Sequence, residues 1–304
     1  MSMLIEEVEM FGWQNCFRIN SENIELVTTA DVGPRIIHFG EKGGPNLLKI
    51  FENEAGRVGD KKFLFYGGHR IWAAPEDPVL SYIPDNDPAK VIINDEDQSI
   101  VFTRANDGTG LRKSIELRIA DKGGFFIRNE ILNTGSESAR TASWGITSFA
   151  PGGVGIFPLI RKTKKELQLR SDFSLNLWHY TDFTDPAFEW HKNAILFNQK
   201  KCLAPQKIGC YLENPTLGYM LGEYLITKQM IGLSESDDDY PDRGSNAEIY
   251  LNPEMLELEF LSKWKTLKPG ESVFHQEYLN VTKIDDKHDI NSVIDMVLGL
   301  NSLN

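Results

Sequence analysis

The residues best equipped for chemistry lie in one short segment, residues 66–76, which reads Tyr-Gly-Gly-His-Arg-Ile-Trp-Ala-Ala-Pro-Glu. The segment combines an imidazole (His69), a guanidinium (Arg70), an indole (Trp72) and a carboxylate (Glu76). Two preceding glycines permit close approach of the backbone. A pyranose needs this mixture, because an aromatic face covers its C–H groups while forked donors and carboxylates bind its hydroxyls. The segment therefore predicts a carbohydrate-binding site.

The same segment limits which of these side chains act together. In an extended strand, His69 and Ile71 point to one face while Arg70 and Trp72 point to the other. His69 and Arg70 face one cleft only if the glycines or a β-bulge interrupt the alternation. A second interpretation is a β-corner in which His69 is buried in a hydrogen bond to a glutamate.

Paired carboxylates mark a second segment, residues 254–261, which reads Glu-Met-Leu-Glu-Leu-Glu-Phe-Leu. Alternation places Glu257 and Glu259 on one face of a strand, about 7 Å apart, and the apolar residues on the other. Such a pair, flanked by core residues, predicts a polar concave surface or a general base. The alternative is a strand whose second face meets solvent.

Two lysines, Lys207 and Lys228, lie near β-rich runs. Each is a candidate to bind an anionic group such as a sugar phosphate or a uronate, and each is alternatively a surface lysine. The six histidines follow no zinc-binding spacing. The chain also has no nucleophile-elbow, phosphate-loop or dinucleotide motif. We therefore expect neither a metal nor a cofactor.

The elements that must position these residues are short strands. Turn signals at residues 121–124 and 133–135 punctuate a series of β-rich runs. The runs are residues 91–93, 99–104, 113–119, 125–132, 143–149, 209–212, 218–225, 247–251 and 273–281. This rhythm predicts an all-β sandwich or barrel rather than alternating strands and helices.

One segment departs from the strand pattern. Residues 289–300 place apolar side chains on a single helical stripe, with Asp289 as N-cap and Gly299 at the C-terminal stop. We expect a helix packed against the sandwich, the alternative being a helix that binds a partner. The acidic residues 235–242 are expected to form an exposed loop, a lid or a patch that attracts metal ions.

Composition excludes several partners. The formal net charge of -12 repels nucleic acid and anionic membranes, and the basic residues 161–165 are expected to form a solvated loop. Three cysteines without zinc spacing indicate buried thiols in a reducing compartment. The N-terminus does not read as a signal peptide, and no apolar run approaches membrane-spanning length. We expect a cytoplasmic protein with a small-molecule carbohydrate ligand.

Several motifs, taken in order, resemble the galactose-mutarotase-like superfamily of aldose 1-epimerase relatives. The residues at 27–37 (Val-Thr-Thr-Ala-Asp-Val-Gly-Pro-Arg-Ile-Ile) and 43–48 (Gly-Gly-Pro-Asn-Leu-Leu) look like its first strands. Residues 67–76 take the place of its glycine-rich sugar-contacting segment. Residues 142–149 (Ala-Ser-Trp-Gly-Ile-Thr-Ser-Phe) are similar to its central strand, and 256–271 to its glutamate strand and turn. The likeness covers most of the chain and is strongest to a branch with Gly-Gly-His-Arg and Glu-Leu-Glu signatures.

The resemblance implies one large antiparallel β-supersandwich domain over residues 1–304, with a sugar in its cleft. In that family a glutamate removes the proton from the anomeric hydroxyl and a histidine protonates the ring oxygen. By position, the base is Glu257 or Glu259, and the position does not distinguish them. The sugar contacts that we expect are Arg70, Trp72, Glu76, Trp144, Lys207 and Lys228.

The central strand departs from the family pattern, because it has no histidine where the family has its acid. Trp144 or Gly145 stands near that place, and Trp144 suits either stacking on a sugar or a position in the core. Two hypotheses follow. In the first, His69 supplies the acid from a neighbouring strand and the protein is a 1-epimerase acting on a hexose or a sugar phosphate. In the second, the protein binds or senses a carbohydrate without turnover.

Overall fold

The computed structural model describes residues 3–104, 108–159, 169, 171–232, 239–285 and 289–300. Within these ranges the strands pair antiparallel in two large sheets, and the one long helix lies near the C-terminus. The predicted all-β sandwich with a C-terminal helix is therefore confirmed. The residues 161–165 and 235–238, for which loops were predicted, lie outside the described part.

The first sheet carries both candidate segments near its centre, on two strands that flank a shared neighbour. Strands are numbered along the chain, and in spatial order this sheet is β1 (Ile5–Met10), β2 (Trp13–Asn20), β3 (Ile24–Thr29), β4 (Arg35–Glu41), β5 (His69–Ala74), β10 (Ala139–Phe149), β19 (Met255–Leu261), β18 (Ala247–Asn252), β15 (Gln206–Cys210) and β12 (Asn176–Leu177), with β20 (Lys265–Leu267) paired to β10.

The second sheet packs against the first and closes the core. In spatial order its strands are β13 (Phe188–Trp190), β14 (Ala194–Asn198), β11 (Val154–Pro158), β16 (Thr216–Leu221), β17 (Tyr224–Ile231), β21 (Ser272–Lys283), β9 (Phe125–Asn133), β8 (Leu111–Ile119), β7 (Ser99–Thr103) and β6 (Lys90–Asn94). Two helical segments, α1 (Pro241–Gly244) and α2 (Ile290–Leu300), and a 3₁₀ turn (Gln199–Lys201) complete the described elements.

Period-two alternation decides which side chains enter the core. On β19, Leu256, Leu258 and Phe260 are fully buried between the sheets, where each contributes about 1.5–3 kcal/mol by leaving water. The opposite face of β19 carries the two glutamates, and it is buried as well. A strand buried on both faces, with carboxylates on one of them, indicates that something other than solvent covers that second face.

The C-terminal helix agrees with its predicted stripe. On α2, Val293, Ile294 and Val297 pack against apolar side chains of the second sheet. Asp289 accepts hydrogen bonds on Oδ1 from the backbone N–H groups of Asn291 (2.8 Å) and Ser292 (3.0 Å), as an N-cap does. None of the helices in the described ranges is both long and apolar enough to span a membrane.

Two local predictions were wrong. The run 218–225 was expected to be one strand, but the chain reverses at Gly222, whose φ of 58° lies in the left-handed region, to form the hairpin of β16 and β17. The acidic stretch was expected to be an exposed loop, which is correct for Asp239 but wrong for Tyr240 and Pro241, which are buried, and for Asp242, which is half-buried. Asp242 also takes a positive φ of 49°.

Candidate functional site

A cleft of about 810 Å³ opens on the outer face of the first sheet, over β5, β10, β19, β18 and β15. Its volume lies within the usual range of small-molecule sites. Segments before and after β5 and the chain following β12 form its walls. The floor includes Arg70, Trp72, Trp144, Ile146, Lys207, Tyr250, Glu257 and Glu259, and the walls include Phe65, Glu76, Tyr82, Trp178, His179 and Tyr180.

The strand register explains why residues distant in sequence meet on this floor. Trp72 lies opposite Trp144 across β5 and β10, and Glu259 lies opposite Ile146 across β10 and β19.

Of the nine predicted site residues, seven line the cleft, and His69 and Lys228 do not. Lys207 and Lys228 are 4% and 0% exposed, so neither is a surface lysine.

Glu257 is held through one of its two oxygens. Its Oε1 accepts hydrogen bonds from Nη1 of Arg70 (2.9 Å) and from Oγ of Ser148 (2.5 Å). The Arg70 guanidinium lies 4.8 Å from the centroid of the Trp72 ring, which packs it in place. The hydrogen bonds of this carboxylate to described residues thus all fall on Oε1, and Oε2 is left to the cleft.

Glu259 has a matching arrangement with different partners. Its Oε2 accepts hydrogen bonds from Nζ of Lys207 (2.8 Å) and from Nε1 of Trp144 (2.8 Å). Lys207 forms a second ion pair, at 2.7 Å, with Oε2 of Glu248, which is fully buried and lies opposite Glu259 across β18 and β19. The ammonium group also lies 4.6 and 4.7 Å from the ring centroids of Trp144 and Trp178.

The carboxyl groups around Lys207 outnumber their cation. Burial raises the pKa of Glu259, and it raises the pKa of Glu248 well above the ordinary value. Burial likewise raises the pKa of Asp242, which lies close to Glu248. Burial lowers the pKa of Lys207, but the two carboxylates outweigh it and the net shift is upward. One ammonium among two buried carboxyl groups and one half-buried carboxyl group therefore favours a cluster that retains a proton.

Aromatic rings form much of the remaining surface. Trp72 meets Trp144 edge-on at 5.5 Å and Tyr82 at 5.3 Å, so the rings brace one another. The hydroxyl of Tyr82 donates to Oε1 of Glu76 (2.5 Å). Tyr180 adds a further ring to the wall. This surface suits a ligand with an apolar face and a polar rim, as a pyranose has.

His69 lies on the opposite side of β5, as the alternation required. It is fully buried between the sheets, with Nδ1 2.8 Å from Oγ1 of Thr147 and Nε2 3.0 Å from Oδ1 of Asn129. Burial lowers its pKa to about 4, so the ring is neutral. The structure thus does not bring His69 together with Glu257 and Glu259. Its partners are an amide and a hydroxyl, not the glutamate of the β-corner interpretation.

Lys228 belongs to the same interior cluster as His69. Its Nζ lies 3.2 Å from Oε2 of Glu277 and donates to the backbone carbonyls of Gly145 (3.2 Å) and Leu258 (3.0 Å). The other oxygen of Glu277 contacts Nε2 of His275 at 2.8 Å. Burial raises the pKa of Glu277, but Lys228 and the histidines outweigh it and bring it to about 2. Lys228 therefore links the two sheets beneath the cleft.

Sequence reasoning missed several residues that the cleft uses. Ser148 donates a hydrogen bond to Glu257, and Glu248 forms an ion pair with the same lysine, Lys207, that binds Glu259. Three adjacent residues form part of the wall: Trp178, His179 and Tyr180. The aromatic run at 178–180 was the available signal, but its distance from the other motifs hid its role. Among the described residues, no group of three or more His, Cys, Asp or Glu side chains is placed to hold a metal ion.

Comparisons with solved structures relate the fold to known proteins. A galactose mutarotase-like protein from Lactobacillus casei superposes with a TM-score of 0.57 and 11% identity, over 88% of this chain and 100% of that one. A second, from Clostridium acetobutylicum, gives 0.53 and 14%, over 93% and 99%. A TPR-domain containing protein from Parabacteroides distasonis gives 0.59 and 14%, over 91% of this chain, which spans about half (48%) of that protein.

The fold is therefore that of the galactose mutarotase-like sandwich. At identities of 11–14% these superpositions establish the fold alone. No protein-family model matches the sequence. No curated protein matches it either.

Proposed function

We propose that the cleft binds a carbohydrate and interconverts its anomers, as an aldose 1-epimerase does, with Glu257 and Glu259 transferring the protons. One observation carries the proposal: both carboxyl groups project from one strand onto the floor of an aromatic cleft, each with one oxygen bound to a protein cation. The likeness to mutarotase-like folds supports the same class of ligand.

The reaction needs one base and one acid and consumes no other reactant. The base takes the proton of the anomeric hydroxyl while the acid gives a proton to the ring oxygen. The bond between C1 and the ring oxygen breaks, its electron pair goes to that oxygen, and C1 becomes an aldehyde carbon. After rotation about the C1–C2 bond, the reverse transfers close the ring on the other face of the carbonyl.

Glu257 is suited to be the base. Arg70 and Ser148 orient the carboxylate by binding Oε1, which leaves the lone pairs of Oε2 to accept the anomeric proton. A carboxylate fixed in this way loses little freedom when the substrate arrives, so its proton transfer is pre-organised.

Glu259 is suited to be the acid. Its Oε2 already accepts two hydrogen bonds, so in the protonated form the hydrogen resides on Oε1 and is free to be donated. The crowding of Glu248 and Glu259 on Lys207 favours that form. Two carboxyl groups with contrasting environments commonly divide acid and base roles between them. His69, behind the sheet, takes no part, and His179 is the imidazole in the cleft wall.

A second candidate function is carbohydrate binding without turnover. The observation that favours it is that both cleft glutamates are engaged by buried cations, Arg70 and Lys207. A protein of this kind would bind a sugar, but the anomers of that sugar would interconvert only at their uncatalysed rate in water.

The experiment combines ligand-induced thermal stabilisation with NMR measurement of anomer exchange on a panel of aldoses. We expect one or more sugars to raise the melting temperature and to exchange anomers faster with protein present. Glu257→Gln and Glu259→Gln should each lower the catalysed rate by about 10²–10⁴-fold, the usual contribution of a general acid or base. Glu223→Gln, in the exposed β16–β17 turn, is the matched control and should keep the rate within about twofold.

The outcomes separate the candidates. Stabilisation without faster exchange favours the non-catalytic protein. A panel that neither binds nor exchanges contradicts the carbohydrate proposal as a whole. If His179→Ala abolishes exchange while Glu259→Gln leaves it unchanged, the acid is the wall imidazole and the role given to Glu259 is wrong.

A further inference from the structure

We infer that the cleft selects a sugar carrying a free amino group over its phosphorylated and carboxylated counterparts. This inference rests on the proposed function, because it concerns the ligand of the same cleft. It reverses the expectation that Lys207 and Lys228 would bind a phosphate or a uronate.

The cations of the cleft are already satisfied by protein carboxylates. Among the described lining residues, the arginine is Arg70 and the lysine is Lys207, and each forms an ion pair with a carboxylate within 3 Å. They are 3% and 4% exposed. An incoming phosphate would have to displace Glu257 or Glu259, which would leave a buried carboxylate without its cation. Breaking a buried pair in this way is strongly unfavourable.

The cleft also has a surplus of negative charge. Its described lining carries five glutamates against one arginine and one lysine, and the glutamates are Glu54, Glu76, Glu254, Glu257 and Glu259. If Glu259 keeps a proton, an excess of two negative charges remains on this lining. A cleft lined mainly by one sign of charge concentrates ligands of the opposite sign.

Acceptors for an ammonium group are present on this surface. The hydrogen bonds of Glu76 and Glu257 to described residues fall on Oε1, and those of Glu259 fall on Oε2. Oε2 of Glu76 and Oε2 of Glu257 are therefore available to a ligand as acceptors, whereas Oε1 of Glu259 is the oxygen that carries the proton. A protonated amine has three N–H donors, so it satisfies several such acceptors at once. A neutral sugar hydroxyl donates only one hydrogen bond and brings no charge.

Isothermal titration calorimetry on a matched sugar series tests the inference. The probes are 2-amino-2-deoxyhexoses, their N-acetyl derivatives, the parent hexoses, the hexose 6-phosphates and the hexuronates, at about pH 6, below the pKa of an α-amino group. We expect an amino sugar to bind about tenfold more tightly than its N-acetyl derivative, roughly the gain from one partly desolvated ion pair. The phosphates and uronates should bind no more tightly than the parent hexoses.

Two comparisons assign this preference to charge. The affinity advantage of the amino sugar over its N-acetyl derivative should shrink between about 0.01 M and about 1 M salt, as the Debye length falls from about 30 to about 3 Å. It should shrink likewise in Glu76→Gln but persist in Glu223→Gln. A phosphate or uronate that binds more tightly than the hexose overturns the inference, as does an amino sugar with no advantage. If no sugar in the series binds, the carbohydrate function itself has failed.

Discussion

Replacement of Lys228 by methionine tests whether this lysine is a structural tie beneath the cleft, as its contacts indicate, or a ligand-binding group. The substitution keeps most of the side-chain volume but removes the ammonium group. Glu277, which is 0% exposed, then loses its cation and retains the contact with His275. The backbone carbonyls of Gly145 and Leu258 lose a donor as well.

The expected cost follows from this burial. Removing one member of a buried ion pair destabilises a protein by about 3–5 kcal/mol, because an uncompensated charge stays behind. For a large domain each kcal/mol lowers Tm by about 2 °C, so the expected fall is on the order of 5–10 °C. Lys283→Met is the matched control. It breaks a 2.8 Å pair with Glu41 whose side chains are 49% and 36% exposed, and such surface pairs contribute about 0–1 kcal/mol.

Differential scanning calorimetry on both variants, with sugar titrations of each, provides the measurement. The double variant Lys228→Met/Glu277→Gln should recover much of the lost Tm, because it removes the stranded charge together with its partner. If Lys228→Met lowers Tm no more than Lys283→Met does, the buried ion pair of Lys228 and Glu277 does not stabilise the fold as proposed. If it abolishes sugar affinity at unchanged Tm, Lys228 contacts the ligand and its assignment to the interior is wrong.

Three further outcomes are expected. The pKa of His69 falls from 6.5 to about 4 in the folded protein, so its contribution to stability is complete above pH 6.5 and is lost as the pH falls toward 4. His69→Gln should flatten that part of a urea-denaturation profile without changing anomer exchange, and a loss of exchange at normal affinity would contradict the interior role. The pKa of Glu248 is raised, so its contribution is complete below pH 4.5 and is lost as the pH rises through the folded-state value. Glu248→Gln should therefore reduce the decline in stability above pH 4.5, and an unchanged profile would refute the clustered-carboxyl description. Trp144→Phe keeps a ring but removes the Nε1–H bond to Oε2 of Glu259. That bond stabilises the carboxylate that forms as Glu259 gives up its proton, so kcat for anomer exchange should fall about tenfold, part of the 1.5–3 kcal/mol of a hydrogen bond to a charged group. An unchanged kcat would contradict the role of Glu259 as the general acid.

Much of the sheet architecture could be read from local pattern. Period-two alternation placed Glu257 and Glu259 on one face, and it placed His69 and Arg70 on opposite faces. Both relations depend only on the pleat of a single strand, so no distant contact is needed to establish them. The break of residues 218–225 at Gly222 was missed, because a glycine inside an apolar run signals a turn less clearly than a polar cluster does.

The sequence by itself determined which side chains share a face, whereas the tertiary structure decided what each face meets. Alternation does not say whether Arg70 or His69 faces the cleft, and it does not predict that loops cover the glutamate face of β19. Strand pairing within the first sheet brought Lys207 to Glu259, and strand pairing within the second sheet brought Lys228 to Glu277. These contacts join residues 49 or more positions apart, and such separations leave no local pattern in the chain. The chemistry of the cleft therefore depends on long-range pairing of buried charges, which only the folded protein specifies.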